Sequence, residues 1–171
     1  MTDSFCGLPL VQDPLLRNAL VITGQNFGAY CDIMSRIDNA EIRTFDEPLI
    51  VECQPDQING ISMSIYDATH PDSFWAQHKQ GGTLDSFMAI ASKIDDVRKM
   101  LQDGRDLDEL KRDPEYGPCA RLYFDTKARD FAEAYDCGNF FWFQTNGRHR
   151  ILAARLAGKS VRIKIIGTMT G

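Results

Sequence analysis

A short polar run, Asn146-Gly147-Arg148-His149-Arg150, combines the residue types that bind an anion. An aromatic stretch precedes it and an alanine-rich stretch follows it, so the sequence predicts a strand, a turn and a helix. The first turn of a helix presents unpaired backbone N–H groups and the positive end of the helix dipole. Gly147 lets the backbone come close to a ligand, and the side chains that follow add cationic donors. The run therefore predicts a phosphate-binding turn.

Less specific interpretations of the same residues stay open. Asn146 can serve as the helix cap, with its side chain bonded to the backbone rather than to a ligand. His149 and Arg150 can belong to an ordinary surface turn, although two cations would be repelled by the positive end of a helix dipole. Arg155 and Lys159 continue the basic stripe along one helix face, and such a stripe is more often a solvated surface.

Metal and thiol chemistry have little support in the sequence. His70 and His78 lack the close spacing of a paired metal motif, so no metal site is predicted from them. The five cysteines form no Cys-x-x-Cys pattern and are interpreted as reduced thiols of a cytoplasmic protein. The acidic run over 95–109 is typical of a solvated surface, with the alternative that it holds Mg²⁺ for a nucleotide.

Helices and strands must both contribute to positioning the turn. An apolar stripe from Leu84 to Leu101 predicts one long amphipathic helix, over 84–103, that is closed by Gly104. The final unit is predicted as strand 139–144, helix 148–157 with Gly158 as its cap, and strand 161–166. The remaining predicted helices run from residue 14 to about Leu20, over 27–38, from Pro71, over 107–110 and over 126–136. The remaining predicted strands are 41–45, 48–53 and 61–66. Strands 41–45 and 48–53 are predicted to form a hairpin across Asp46-Glu47.

The charge of the chain is distributed unevenly. The net charge is −5, but residues 137–171 contain six basic residues and no acidic one, which leaves 13 basic against 24 acidic residues elsewhere. An acidic overall balance is not typical of a general nucleic-acid-binding protein, while the basic C-terminal part can attract a phosphate-bearing ligand. No apolar run has the length of a membrane span or the form of a signal peptide, so a cytoplasmic protein without membrane contact is expected.

The C-terminal sequence FQTNGRHRILAARLAG, residues 143–158, followed by Val161-Arg162-Ile163, resembles the nucleotide-binding motif of the ParB/sulfiredoxin superfamily, which includes ParB-like nuclease domains. In that group a strand leads into a glycine-containing turn with His-Arg or Arg-Arg, and an alanine-rich helix and a short strand follow. The resemblance implies an α+β fold with a small mixed sheet and flanking helices. Residues 1–45 would form an N-terminal extension of helices and strands and 46–171 the superfamily domain, with one continuous domain 1–171 as the alternative.

The resemblance also implies a ligand. Members of the superfamily bind ATP or CTP, so ATP or CTP with Mg²⁺ is the expected cofactor. The expected binding residues are Asn146, Gly147, Arg148, His149 and Arg150. Arg148 stands where sulfiredoxins carry their catalytic cysteine, which argues against reduction of a sulfinic acid by that route.

Catalytic residues follow from the same resemblance. The segment 48–58 would be the opening strand of the domain, which borders the phosphate site in this family, so Glu52 and Asp56 are the catalytic candidates. A carboxylate there could act as general base toward a hydroxyl or a water. The expected function is binding of a nucleotide or phosphate, with phosphoryl transfer or phosphodiester cleavage at the turn 147–150 as the reaction if the protein is an enzyme. The alternatives are a non-catalytic module that binds a nucleotide or a nucleic acid, and a toxin-like effector domain of bacterial or phage type.

Overall fold

A mixed β-sheet and the helices that pack on it form the described part of the chain. The computed structural model describes residues 4–5, 8–13, 19–24, 41–57, 60–64, 70–78, 81–125, 131–138, 141–143 and 147–170. The strands are β1 Ser4–Phe5, β2 Leu8–Asp13, β3 Ala19–Gly24, β4 Glu41–Cys53, β5 Gly60–Ser64, β6 Glu133–Asp136, β7 Phe141–Phe143 and β8 Val161–Thr170. They lie in the order β1-β2-β3-β5-β7-β6-β8-β4, with parallel and antiparallel neighbours. The α+β class expected from the sequence is confirmed.

The helices lie mainly between β5 and β6 in the chain. They are α1 Pro71–Ala76, α2 Leu84–Ala91, α3 Ile94–Gln102, α4 Leu107–Lys111, the single turn α5 Gly117–Cys119 and α6 Arg148–Leu156. A 3₁₀ turn over Pro55–Gln57 follows β4, and a π-helical turn over Ala120–Phe124 continues α5. None of the helices described has the length and apolar character needed to cross a membrane.

Strand β8 runs between β6 and β4 and carries part of the core. Val161, Ile163 and Ile165 are buried in it, as the spacing of two predicts for a strand with one face inward. The predicted strand 161–166 is confirmed and is longer than expected. Its neighbours β4 and β6, and β7 on the far side of β6, supply further buried residues, among them Cys53, Ala134 and Phe143.

Strand β4 pairs with β8 along nearly its whole length. A β-bulge shifts the register between Thr44 and Leu49, and beside it a side chain on Gly167 would collide with the carbonyl of Arg43. The hairpin predicted across Asp46-Glu47 is wrong, because the residues on both sides of that pair continue one strand against β8. The predicted domain boundary at residue 46 falls inside this strand.

The apolar stripe predicted over 84–101 is divided between two helices. Thr83 begins α2 with a capping box. The helix is interrupted at Ser92 and Lys93, and α3 begins after them. The Ser92 hydroxyl donates to the Ala89 carbonyl at 2.7 Å, which is the local bonding that competes with a continuing helix. The single long helix is therefore wrong, although the predicted inward positions Phe87, Ala91, Ile94 and Val97 are all buried.

Helix α6 lies at the centre of the core. Ile151, Leu152, Ala153, Ala154 and Leu156 are buried among its nine residues. The two adjacent alanines leave room for α2, which packs against this helix. The predicted helix over 148–157 is confirmed, as is Gly158 as its terminating residue with a φ of 69°.

Two other predicted helices differ from the structure. Ala19 and Leu20 belong to β3, paired with β2, and not to a helix. Residues 133–136 form β6, which pairs with β7 on one side and β8 on the other, and not the helix that the spacing of Phe131 and Tyr135 suggested, because tertiary pairing outweighs the local pattern. The predicted helix over 27–38 and residues 126–130 lie outside the described residues.

Candidate anion-binding site

The turn before α6 has the geometry that the sequence predicts. Gly147 adopts a φ of 82°, and the Ile151 N–H donates to its carbonyl at 2.9 Å, which closes the first turn of the helix. No acidic residue lies in that first turn. Strand β7 precedes the turn, while Asn146 lies outside the described residues, so its predicted role stays a prediction. Basic side chains and the positive end of the dipole of α6 therefore meet at one place.

Arg150 folds back toward the turn that begins its own helix. A Cβ built on Gly147 would lie 2.8 Å from Nε of Arg150 and 2.9 Å from Cβ of Ala132, so only glycine leaves room for this side chain. Nη1 of Arg150 lies 3.5 Å from the Leu122 carbonyl. The Tyr123 hydroxyl donates to the Arg150 carbonyl at 2.7 Å, and burial raises the pKa of this hydroxyl further above its usual range. These contacts fix Arg150 against the π-helical turn.

His149 is packed among aromatic rings. Its ring stacks on Phe74 with 4.3 Å between centroids and 18° between planes, and Trp75, His78 and Phe87 lie around it at 5.4–6.0 Å. Nε2 contacts the Phe74 carbonyl, and because a carbonyl only accepts, this nitrogen carries the proton and donates it. The geometry gives His149 a packing role, in which it joins α6 to α1. The predicted contact of His149 with a phosphate stays a prediction.

Two further ionisable side chains, Arg148 and His78, lie in the same region. The guanidinium of Arg148 lies 5.7 Å from the centroid of the Phe74 ring, in the range of a cation–π contact. Burial lowers the pKa of His78, and the nearby charge of Arg150 lowers it further. Arg148 and Arg150 therefore supply permanent positive charge at the turn, while His78 favours its neutral form.

Glu52 lies at the end of β4, in a polar network with α3 and the start of β8. Its Oε1 accepts from Nη2 of Arg98 at 3.1 Å and from the Ser160 hydroxyl at 2.7 Å. Arg98 also donates to Asp95 and to the Ser160 carbonyl, each at 3.0 Å. Lys159 contacts the other oxygen of Asp95 at 2.6 Å. The network therefore fixes the carboxylate of Glu52 with one of its oxygens already used.

Asp56 lies outside this network, beside helix α6. It belongs to the 3₁₀ turn after β4, which packs against α6, and its charge raises the pKa of Arg155, although burial outweighs this and lowers it overall. Arg155 occupies the last turn of α6, about 7–10 Å along the helix axis from Arg148 and Arg150. The two predicted catalytic carboxylates thus border the C-terminal side of α6, whereas the turn is at its N-terminus.

Two neighbouring hollows connect these regions. A cavity of about 570 Å³ lies between α3, the π-helical turn and the start of β8, and its lining includes Glu52 and Arg98. A narrow crevice of about 10 Å³ is lined by Arg150 and Leu122. Both are lined by Tyr123, Phe131, Val161 and Arg162, so the crevice adjoins the cavity on that side. Glu52 and Arg150 therefore line two neighbouring hollows that share these four residues.

Several of these residues carry no signal in the sequence. Arg98 is one cation of an amphipathic helix, and nothing marks its bond to a carboxylate 46 residues away. Tyr123 and Phe131 read as ordinary core residues. The alternation of the strand marks Arg162 only as an outward residue. The register places it opposite Glu52. Chain folding, rather than local spacing, brings this group together.

The thiols of Cys53 and Cys119 are both buried. Burial raises the pKa of Cys53 and of Cys119 to about 12, so both stay protonated at neutral pH. Within the described residues, no group of three or more His, Cys, Asp and Glu side chains has the arrangement of a metal site.

Comparison with protein-family models finds no match for this chain, and comparisons with curated proteins and with solved structures find no significant similarity.

Proposed function

We propose that this protein binds a phosphate-bearing ligand, with a nucleotide such as ATP or CTP as the best candidate, at the turn that begins α6. The observation that supports this most is the first turn of α6, in which a left-handed Gly147 is followed by two arginines without an acidic residue. An anion placed there would accept from backbone N–H groups and from guanidinium groups, and the helix dipole would favour its charge. The motif is the one that resembles the ParB/sulfiredoxin superfamily.

Arg148 and Arg150 are the proposed phosphate ligands, and His149 holds the helix in place. The stacked ring of His149 and its bond to the Phe74 carbonyl support a positioning role. Arg150 would turn from the Leu122 carbonyl, a contact that is long at 3.5 Å, toward the ligand.

A catalytic step, phosphoryl transfer or phosphodiester cleavage, is the second candidate. The observation that favours it is the position of Glu52 in a cavity that adjoins the crevice of Arg150. Asp56 has less support as a general base because its neighbour is Arg155, at the far end of α6. Turnover of a nucleotide that is lost in Glu52→Gln, with the affinity for inorganic triphosphate retained, would support this candidate.

The test is titration calorimetry of the whole protein with ATP, CTP, GTP, UTP and inorganic triphosphate, each with and without Mg²⁺. Loss of one charge-assisted hydrogen bond in Arg148→Ala or Arg150→Ala should weaken binding by about 1.5–3 kcal/mol, or roughly ten- to 150-fold. Arg112→Ala is the matched control, since Arg112 is an exposed arginine at the end of α4. Melting temperatures without ligand separate a binding effect from a folding effect. Equal losses in all three variants, or no binding by any phosphate compound, would reject the proposal.

A further inference from the structure

The cavity beside α3 has the size and the mixed lining of a small-molecule site. Its volume of about 570 Å³ lies within the range of about 300–1,000 Å³ that is usual for ligand pockets. One part of the lining is apolar, with Leu101, Phe124 and Phe131. Another part is polar and charged, with Glu52 and Arg98. A flat apolar molecule with polar groups at its edge fits this division.

Glu52 gives the cavity a specific hydrogen-bonding character. Its Oε1 accepts from Arg98 and from Ser160, whereas Oε2 accepts no hydrogen bond from the described residues. Arg98 is itself fixed by Asp95 and by the Ser160 carbonyl. The carboxylate is therefore held in one orientation and retains one oxygen for a donor on a ligand. The glutamate side chain is 40% exposed, so a ligand in the cavity can reach it.

The crevice of Arg150 adjoins the cavity along Tyr123 and Phe131. If the phosphates of a ligand lie at the turn before α6, the rest of the ligand would extend past Tyr123 and Phe131 toward the cavity. Arg162, opposite Glu52 in the strand register, lines both hollows and adds a further cation between them.

We infer that the cavity binds the base of a nucleotide, and that Glu52 selects a base carrying an exocyclic amine. The ring would lie against Phe124 and Phe131, since aromatic side chains stack on any base. The amine would donate to the remaining oxygen of Glu52, an acceptor that a carbonyl at the same ring position cannot use. This inference rests on the proposed function, because it assigns the nucleoside part of the same ligand.

The test compares CTP with UTP, which differ at this ring position by an amine and a carbonyl, and with inorganic triphosphate, which has no base. Titration calorimetry at constant ionic strength should give tighter binding of CTP than of UTP by about tenfold (~1.4 kcal/mol). Inorganic triphosphate should bind more weakly than either nucleotide. In Glu52→Gln, whose amide can donate to the uracil carbonyl, the preference for CTP should fall to about twofold or less.

A bulky substitution tests the location of the base. Gln102→Trp, at an exposed cavity-lining position, should reduce the affinity for CTP to that for inorganic triphosphate, which itself should not change. Lys99→Trp on the same helix is the matched control, since Lys99 is exposed and is not among the residues lining this cavity. It should leave both affinities unchanged.

The outcomes separate the inference from the proposed function. Binding of inorganic triphosphate as tight as that of CTP and UTP overturns the base site and leaves the phosphate turn intact. A wild-type affinity for CTP in Gln102→Trp overturns the location of the base. If no compound binds, both proposals fail, whereas binding of cytidine without inorganic triphosphate would support the cavity and reject the turn.

Discussion

Replacement of Gly147 by alanine isolates the physical requirement of the turn. Its φ of 82° is a left-handed conformation that costs a residue with a side chain about 1–2 kcal/mol. The new Cβ would also lie 2.9 Å from Cβ of Ala132 and 2.8 Å from Nε of Arg150. Overpacking of this kind costs typically ~1–3 kcal/mol, while the loss of backbone freedom in the unfolded chain returns about 0.4–1 kcal/mol.

Gly158 provides a matched control at the other end of α6. Its φ is 69°, similar to that of Gly147, but an added Cβ would have no described heavy atom within 4 Å. Gly158→Ala should therefore lower the free energy of unfolding by about 0.5–1.5 kcal/mol, through backbone strain alone. Gly147→Ala should lower it by about 2–4 kcal/mol because it also crowds Ala132 and Arg150.

Urea denaturation followed by circular dichroism measures both changes, and calorimetric titration with inorganic triphosphate measures the effect on the site. Gly147→Ala should weaken that binding at a temperature where the variant is still folded, because Arg150 is displaced. Gly158→Ala should bind as the wild type does. Equal destabilisation by the two substitutions would refute the steric part of the reasoning, and unchanged affinity in Gly147→Ala would refute the link between the glycine and the arginine.

Two further predictions concern the aromatic surroundings of α6. His149→Phe keeps a stacked ring but removes the side-chain donor to the Phe74 carbonyl, which then keeps only the long contact from the Gln77 N–H at 3.3 Å. The free energy of unfolding should therefore fall by about 0.5–1.5 kcal/mol in urea denaturation. Affinity for inorganic triphosphate should be retained, and a tenfold loss would instead make His149 a ligand contact. The pKa of His78 is lowered in the folded protein from its ordinary value of 6.5. As the pH falls, this histidine therefore takes up a proton in the unfolded chain before it does so in the folded protein, which favours unfolding. Stability should decrease between pH 7 and pH 5, as measured by melting temperature, and a slope that is unchanged in His78→Gln would show that another group is responsible.

The part of the site that the sequence predicts is the part built by neighbours in the chain. A glycine followed by basic residues and an alanine-rich run defines the turn and α6 from local preferences. The same reasoning correctly places Gly104 and Gly158 at helix ends, because termination by a left-handed glycine depends on one or two residues.

The cavity could not be predicted because it depends on distant partners. Glu52 meets Ser160 across 108 residues, and no spacing rule links them. Residues 133–136 form a strand because β7 and β8 lie on either side, although Phe131 and Tyr135 have helical spacing. The break at Ser92 is also invisible to periodicity, since the buried face continues across it. Pairing and packing decide these positions, and local preference does not.

The burial of α6 also determines which part of the molecule opens last. A helix with Ile151 to Ala154 buried without interruption releases its amide protons only when the surrounding core separates. The turn that carries Arg148 and Arg150 is therefore attached to a segment in which we expect slow hydrogen exchange. The proposed phosphate ligands keep their positions through the local fluctuations that loosen the periphery, and they are lost only when the whole fold comes apart.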